Sequence, residues 1–262
     1  MMKFKNLFWK SEKENIGYIS ALLNLFLVAV LWVALFWISL RIIHVRLDFS
    51  FLKDFRIRIW DGFHVTIGLS LCSFILSFVI GILNAAGQNS PLLFIRFFCN
   101  IYVKFIRGTP LIMQIYLFFY IIGTAWGVKS RFAAGVLILS IFEGAYIAEI
   151  IRGSMLSLDE SQLEAARGVG FNRRQTWRFV ILPQMTARAL PALTGQFASI
   201  IKDSSLLSMI AVIELTQTMR EISAVNFRLF ECYLFLGILY LCLTLPISLI
   251  SEYLESRFRY ES

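Results

Sequence analysis

The stretch LEAARGVGFNRRQTWRFVILPQ, residues 163–184, is polar and charged in a chain that is otherwise mostly apolar. Its charged side chains are Glu164, Arg167, Arg173, Arg174 and Arg178. Of the 262 residues, 58% are hydrophobic and only 16% are charged. A soluble domain usually carries about 25% charged residues. The composition therefore indicates a membrane protein with several spans, in which residues 163–184 form a folded segment outside the bilayer.

The formal net charge of +8 does not point to nucleic acid, because the basic residues are spread over short segments between apolar runs. Such segments are typical of the cytoplasmic side of a membrane protein. The four cysteines form no CxxC pair, so we expect them to act as small apolar residues and predict no metal site. The HExxH and GxSxG motifs are also missing, which argues against an intramembrane enzyme and predicts no catalytic residue.

Six apolar runs are candidates for crossing the bilayer, since about 20 apolar residues span it. They cover residues 16–43, 60–86, 111–123, 132–151, 187–209 and 233–250. An even number of crossings places both termini on one side, and the lysines and arginines of the tails and inner segments assign that side to the cytoplasm. The basic outer segment 44–59 agrees poorly with this rule, which makes the first helix the weakest part of the predicted topology.

The polar segment predicts two short helices with recognisable ends. Ser157 and Glu160 fit the first and fourth positions of a capping box, and Gly168 and Gly170 are typical of a helix end. Asn172 can cap a second helix before Pro183 limits its continuation. Small residues between the helices would let another backbone approach closely, as in a knob that docks into a partner. A solvated loop with local helices remains the alternative at this point.

The order EAA (164–166), three residues, Gly170 and then VILP (180–183) resembles the EAA loop of bacterial ABC-importer permeases. Four further stretches are similar to the polar amino-acid branch of that family. They are GLSLCSFILSFVIGI (68–82), IRGTPLIMQIYLFFY (106–120), GAYIAEIIRG (144–153) and IIKDSSLLSMIAVIEL (200–215). The resemblance covers about residues 60–255 and leaves the first 55 or so residues unmatched.

The resemblance implies an all-α integral membrane protein with a five-helix permease core, and the unmatched apolar run 16–43 predicts one extra N-terminal transmembrane helix. The expected parts are a cytoplasmic N-tail (1–15), the extra helix (16–43), an external connector (44–59), the core (60–255) with its coupling loop at about 157–183, and a cytoplasmic C-tail (256–262). The residues expected to couple to an ATPase are Glu164, Ala165, Ala166, Gly170, Leu182 and Pro183.

The implied function is that of a permease subunit of an ATP-driven importer for polar amino acids in the bacterial cytoplasmic (inner) membrane. The chain has no Gly-Lys pair, so it lacks a P-loop. ATP and Mg are therefore expected on a separate ABC ATPase dimer, and no cofactor on this chain. The other expected partners are a second, identical or homologous permease, an extracytoplasmic solute-binding protein and the lipid bilayer. The alternative is a channel or other integral subunit whose cytoplasmic loop docks a non-ATPase partner.

Charged residues inside spans are rare and usually face partners or cavities, because each costs about 2.5–3.5 kcal/mol on insertion scales. Gln196, Ser199 and Asp203 recur at positions i, i+3 and i+7 and predict a polar stripe on the fifth span. The complete set of candidate pathway residues is Glu143, Tyr146, Gln196, Ser199, Lys202, Asp203 and Ser204. We hypothesise that Glu143 faces the cavity and favours a cationic solute. The alternative is a structural ion pair with Lys202 or with a basic residue on another helix.

Overall fold

The computed structural model describes residues 18–44 and 47–258, and no strand occurs among them. The chain divides into two compact units, Met1–Phe49 and Ser50–Ser262. The predicted N-tail, residues 1–15, lies outside the described residues, as do residues 259–262 of the predicted C-tail.

The first unit contains one long helix, α1 (Tyr18–Ile42), close to the predicted span 16–43. Its apolar stretch is long enough to cross a membrane, and none of its most apolar window is buried. A helix that is apolar on every side cannot be accommodated in water and is typical of a span surrounded by lipid. Helix α1 therefore has the properties of an added transmembrane helix.

The second unit consists of helices of very different lengths. They are α2 (Phe51–Asp54), α3 (Arg56–Gln88), α4 (Leu93–Arg107), α5 (Leu111–Tyr116), α6 (Arg131–Leu156), α7 (Glu160–Gly168), α8 (Arg173–Thr176), α9 (Leu182–Asp203), α10 (Leu215–Asn226) and α11 (Leu229–Phe258). A π-helical segment, Leu117–Gly123, extends α5, and another, Trp177–Ile181, joins α8 to α9. A 3-10 segment, Ser204–Ile210, follows α9.

Two predicted boundaries of the core are wrong. The expected connector 44–59 contains α2, and α3 already begins at Arg56 instead of residue 60. The charged first turn of this helix has a partner, since Arg58 forms an ion pair with Glu221. At the other end, α11 continues to Phe258, beyond the predicted limit at residue 255.

Length and composition alone mark four helices as candidate spans, namely α1, α3, α6 and α11. A fifth results if α4 and the helical stretch 111–123 are one span, although a bend of 111° separates them. Helix α9 is 22 residues long, but with Arg188, Lys202 and Asp203 it is too polar to count as a candidate span by length and composition. The number of crossings therefore has to come from helix directions.

Contacts between the long helices give their directions. Ser140 Oγ donates to Ser73 O at 3.2 Å, and Ile147 packs against Gly81. Helices α3 and α6 thus run in parallel, so the chain between them must return across the bilayer. Helix α9 runs against α11, because Ser251 Oγ donates to Pro191 O at 2.7 Å while Phe258, seven residues further along α11, lies beside Leu182 and Pro183 at the start of α9. The second unit therefore has five crossings, as the permease core requires.

Helices α3 and α6 approach each other at glycines. A Cβ atom on Gly81 would lie 2.4 Å from Ile147 Cγ2, and one on Gly144 would lie 2.6 Å from Ile80 Cγ2. Small residues at such crossings allow the close backbone packing that holds membrane helices together. This contact buries α6 more than any other candidate span and fixes the helix that carries Glu143.

Candidate functional site

Two carboxyl groups meet between α6 and α9 inside the core. Glu143 is fully buried on α6, and its Oε2 accepts a hydrogen bond from the side-chain amide of Gln196 on α9. Asp203, two turns further along the same side of α9, interacts electrostatically with Glu143. The predicted polar stripe of α9 therefore does face Glu143.

No ion pair joins a basic side chain to Glu143 or Asp203 among the described residues, although Lys202 acts electrostatically on Asp203. The Oε1 atom of Glu143 accepts no hydrogen bond from any donor in the part of the chain that the structure describes. The alternative prediction of an ion pair between Glu143 and Lys202 is wrong, because the Lys202 side chain is exposed. Adjacent residues on a helix point in directions about 100° apart, so Asp203 and Lys202 cannot both face α6.

The remaining predicted pathway residues lie around this pair. Ser199 is on the same side of α9 as Gln196, and its hydroxyl donates to Gly195 O at 3.5 Å. Ser204 is fully buried and donates to Ile201 O at 2.7 Å. Tyr146 lies one turn beyond Glu143, where the Arg107 guanidinium is 5.4 Å from its ring centroid.

A cluster of one acid and two bases forms the boundary of this region on the side of the coupling loop. Glu149 accepts from Arg152 Nε at 2.7 Å and also from Arg107 Nη1 at 2.8 Å. The contact with Arg107 was not predicted, because it joins residues 42 positions apart in the sequence. It fastens the end of α4 to α6.

The coupling segment contains both predicted helix starts, but its first cap is different and its second helix is not short. Helix α8 continues through Trp177–Ile181 into α9, so the expectation that Pro183 limits it is wrong. Asp159, instead of Ser157, caps α7, and its carboxylate accepts from Ser161 N at 3.0 Å. Ser157 is unavailable because it ends α6, where its hydroxyl donates to Ser154 O and accepts from Arg188 Nη1. The second predicted cap is confirmed, since Asn172 and Gln175 form a complete capping box on α8.

Gly170 ends α7 in a left-handed conformation with φ +80°. Its N–H donates to Arg167 O at 2.9 Å, and the N–H of Phe171 donates to Ala166 O at 3.0 Å. These two bonds form a Schellman motif, which requires a residue that tolerates positive φ. The EAA spacing thus places Gly170 where the chain reverses between α7 and α8.

The surface around this turn combines polar and apolar side chains. Glu164, Ala165 and Gly170 are exposed, whereas Ala166 is buried, and Leu182 and Pro183 begin α9 with exposed side chains. The neighbouring side chains of Val169 and Phe179 are exposed as well. Exposed apolar groups held on a capped, ordered turn are typical of a surface that contacts a partner.

A second buried acid was not predicted. Glu214 is fully buried at the start of α10, and its carboxylate accepts from Gln217 N, Thr216 N and the Tyr240 hydroxyl. In the sequence, Glu214 resembles any N-cap acid, and Tyr240 is one tyrosine in an apolar run. Only the packing of α10 against α11 brings the two together.

Comparisons with known proteins agree with this architecture. The family model for the binding-protein-dependent transport system inner membrane component matches residues 77–260. The probable glutamine ABC transporter permease protein GlnM of Bacillus subtilis is 34% identical over 197 residues, covering 75% of this chain and 91% of the relative. The glutamine transport permease GlnP of Escherichia coli is 35% identical, with 76% and 92% covered. The L-cystine permease TcyB of Bacillus subtilis is 34% identical, with 75% and 84% covered.

Solved structures give the same result. The crystal structure of an amino acid ABC transporter with histidines matches with a TM-score of 0.75 and 32% identity, covering 81% of this chain and all of that one. The inward-facing MetNI methionine ABC transporter shares the fold, with a TM-score of 0.60 at 15% identity, covering 82% of this chain and 100% of that one. The chain therefore belongs to the family of binding-protein-dependent transport system inner membrane components and is a permease subunit of an amino-acid ABC importer.

Proposed function

We propose that this permease imports cationic amino acids and that Glu143 and Asp203 bind the cationic group of the solute. Two such subunits, identical or homologous, form the translocation pathway in the bacterial cytoplasmic membrane. A dimeric ABC ATPase, which carries ATP and Mg, docks on the cytoplasmic coupling segment, and an extracytoplasmic binding protein delivers the solute.

The acidic pair of Glu143 and Asp203 is the observation from which we infer that the solute is cationic. Two carboxylates in contact repel each other, so they share a proton or bind a cation. Burial between α6 and α9 strengthens this effect, because water cannot screen the charges. A side-chain ammonium or guanidinium group donates to the free oxygen of Glu143 and neutralises one of the two negative charges of the pair. A neutral amide provides donors but leaves the charge of the pair uncompensated.

The choice of Glu143 is tested by uptake of radiolabelled arginine, lysine and glutamine into vesicles that contain the complete transporter. Glu143→Gln keeps the size and the contact with Gln196 but removes the charge. A charge-assisted hydrogen bond is worth about 1.5–3 kcal/mol, so we expect the preference for arginine over glutamine to fall about 10- to 100-fold. Glu160→Gln, an exposed position on α7, is the matched control. An unchanged preference in Glu143→Gln would refute the assignment.

The coupling segment supports a cytoplasmic ATPase as partner. Its apolar side chains Val169 and Phe179 lie beside a turn that Gly170 fixes, which presents a compact projection to a cleft. The test is gentle solubilisation of the tagged chain and identification of proteins that co-purify. We expect a P-loop ATPase with the wild type and its loss with Gly170→Asp, which strains the turn and adds a charge. An ATPase retained equally by both chains would show that this turn is not the contact.

A further inference from the structure

Two side chains of α9, one helical turn apart, reach across to the start of the coupling segment. Arg188 Nη1 donates to Ser157 Oγ at 2.8 Å and also to the main-chain oxygen of Ser157. Gln184 Nε2 donates to Oε1 of Gln162, which is in the first turn of α7. Positions i and i+4 lie on one face of a helix, so Gln184 and Arg188 act together, and we call them the α9 clasp.

The two halves of the coupling segment are attached to the bundle in different ways. Helix α8 continues through the π-helical segment Trp177–Ile181 into α9, so its connection to α9 is helical throughout. Helix α7 follows α6 only after a break, because α6 ends at Leu156 and α7 begins at Glu160. Residues 157–159 are not helical, so the backbone alone does not fix the position of α7. The α9 clasp bridges this break, since its partners are Ser157 and Gln162.

Helix α9 carries the clasp near one end and part of the candidate solute site further along. Gln196, which donates to Glu143 Oε2, lies eight residues beyond Arg188. At 1.5 Å per helical residue, this separation is about 12 Å along the axis. Pro191 removes one helix hydrogen bond between them, but α11 supports the helix at this point, since Ser251 Oγ donates to Pro191 O at 2.7 Å. The clasp therefore joins α7 to the same helix that contacts Glu143.

We propose that Gln184 and Arg188 are positioning residues that fix α7 to α9 and transmit movement of the coupling segment to Gln196 at the solute site. With the clasp intact, a force that the ATPase exerts on α7 acts directly on α9. Without it, α7 moves about the break at residues 157–159 while α9 keeps its place, so ATP is hydrolysed with less effect on the solute site. The inference rests on the ATPase docking proposed above, and it adds the side chains through which that docking acts.

The variant Arg188→Met keeps a long side chain but removes its charge and its donors. Arg257→Met, at an exposed position near the end of α11, is the matched control. Uptake of radiolabelled arginine, or of glutamine if the wild type prefers it, and ATP hydrolysis are measured together in vesicles that contain the complete transporter. We expect Arg188→Met to lower the uptake per ATP hydrolysed about two- to tenfold, the equivalent of one lost hydrogen bond. Arg188→Lys, which keeps a charged donor, should recover part of this loss.

A merely structural role for Arg188 would reduce the amount of assembled transporter, so uptake and hydrolysis would fall in proportion. An uptake-to-ATP ratio equal to that of Arg257→Met would therefore overturn the proposal. If Arg188→Met does not assemble, Gln184→Leu decides, because it removes the second bond and leaves Arg188 in place. A lowered ratio in that variant supports the clasp, and a wild-type ratio refutes it. Absence of a co-purifying ATPase would instead refute the proposed docking, so failure of one proposal is distinguishable from failure of the other.

Discussion

Gly168 and Gly170 offer a sharp test of how the coupling segment is built, because they are two residues apart and differ only in backbone conformation. A Cβ at either position would meet no atom within 4 Å. Gly168 is the last helical residue of α7, whereas Gly170 has φ +80°. Alanine at both positions therefore changes backbone energetics without changing contacts.

The expected effects have opposite signs. An L-residue in the left-handed region costs about 1–2 kcal/mol, so Gly170→Ala should weaken the turn by that amount. In a helix, alanine is favoured over glycine by about 0.5–1 kcal/mol, so Gly168→Ala should stabilise α7. The local opening equilibrium in Gly170→Ala should rise about 5- to 30-fold, which corresponds to 1–2 kcal/mol.

Hydrogen exchange on the purified complex measures this opening directly. The informative amides are those of Gly170 and Phe171, which donate to Arg167 O and Ala166 O. We expect faster exchange at both in Gly170→Ala, slower or unchanged exchange in Gly168→Ala, and loss of ATP-driven uptake only in the first. Equal exchange in the two variants would refute the assignment of Gly170 as the residue that fixes the turn.

Two further predictions concern packing and capping. Gly81→Ala places a Cβ 2.4 Å from Ile147 Cγ2, and the resulting overpacking, about 1–3 kcal/mol, should lower the thermal unfolding midpoint in detergent. Gly68→Ala, where a Cβ meets no atom within 4 Å, should not lower it. Equal midpoints in the two variants would contradict the contact between α3 and α6. The hydrogen bond from the Ser161 N–H lowers the pKa of Asp159 in the folded protein. The cap therefore stabilises α7 fully at a pH above the pKa of Asp159 in the unfolded chain, and this stabilisation is lost as the pH falls through the lower pKa of the folded state. Asp159→Asn does not titrate, so the protection of the first-turn amides of α7, taken relative to their intrinsic exchange rates, should become insensitive to pH in that range. An acid-dependent loss of protection as large as in the wild type would count against the cap.

Local features of the fold could be predicted from the sequence. Long apolar runs, the Asn172 capping box and the glycine at the end of α7 are each determined by residues within one or two turns. The choice of Asp159 over Ser157 could not be predicted, since both side chains can cap a helix. It was decided by the end of α6, where Arg188 engages Ser157 across 31 positions.

The candidate solute site could be predicted only in part, because the sequence shows local periodicity but not which helices pack together. The polar stripe of Gln196, Ser199 and Asp203 follows from helical periodicity, and Glu143 stands out as a charge within a span. Which of these groups meet depends on how α6 packs against α9, and that packing leaves the Lys202 side chain exposed. Tyr240 and Glu214 give no local signal, because their contact joins two helices that periodicity treats separately.

The charges of α9 also bear on the order in which the protein enters the membrane during synthesis. Helix α9 contains Arg188, Lys202 and Asp203 and is less apolar than α6, so it leaves the insertion channel for lipid less readily than α6 does. Helix α6 is synthesised first and presents Glu143, so it can receive the polar side of α9 as soon as that helix emerges. We therefore expect α9 to insert together with its neighbours and not as an independent segment, which makes Glu143 and Gln196 matter for biogenesis before any solute is transported.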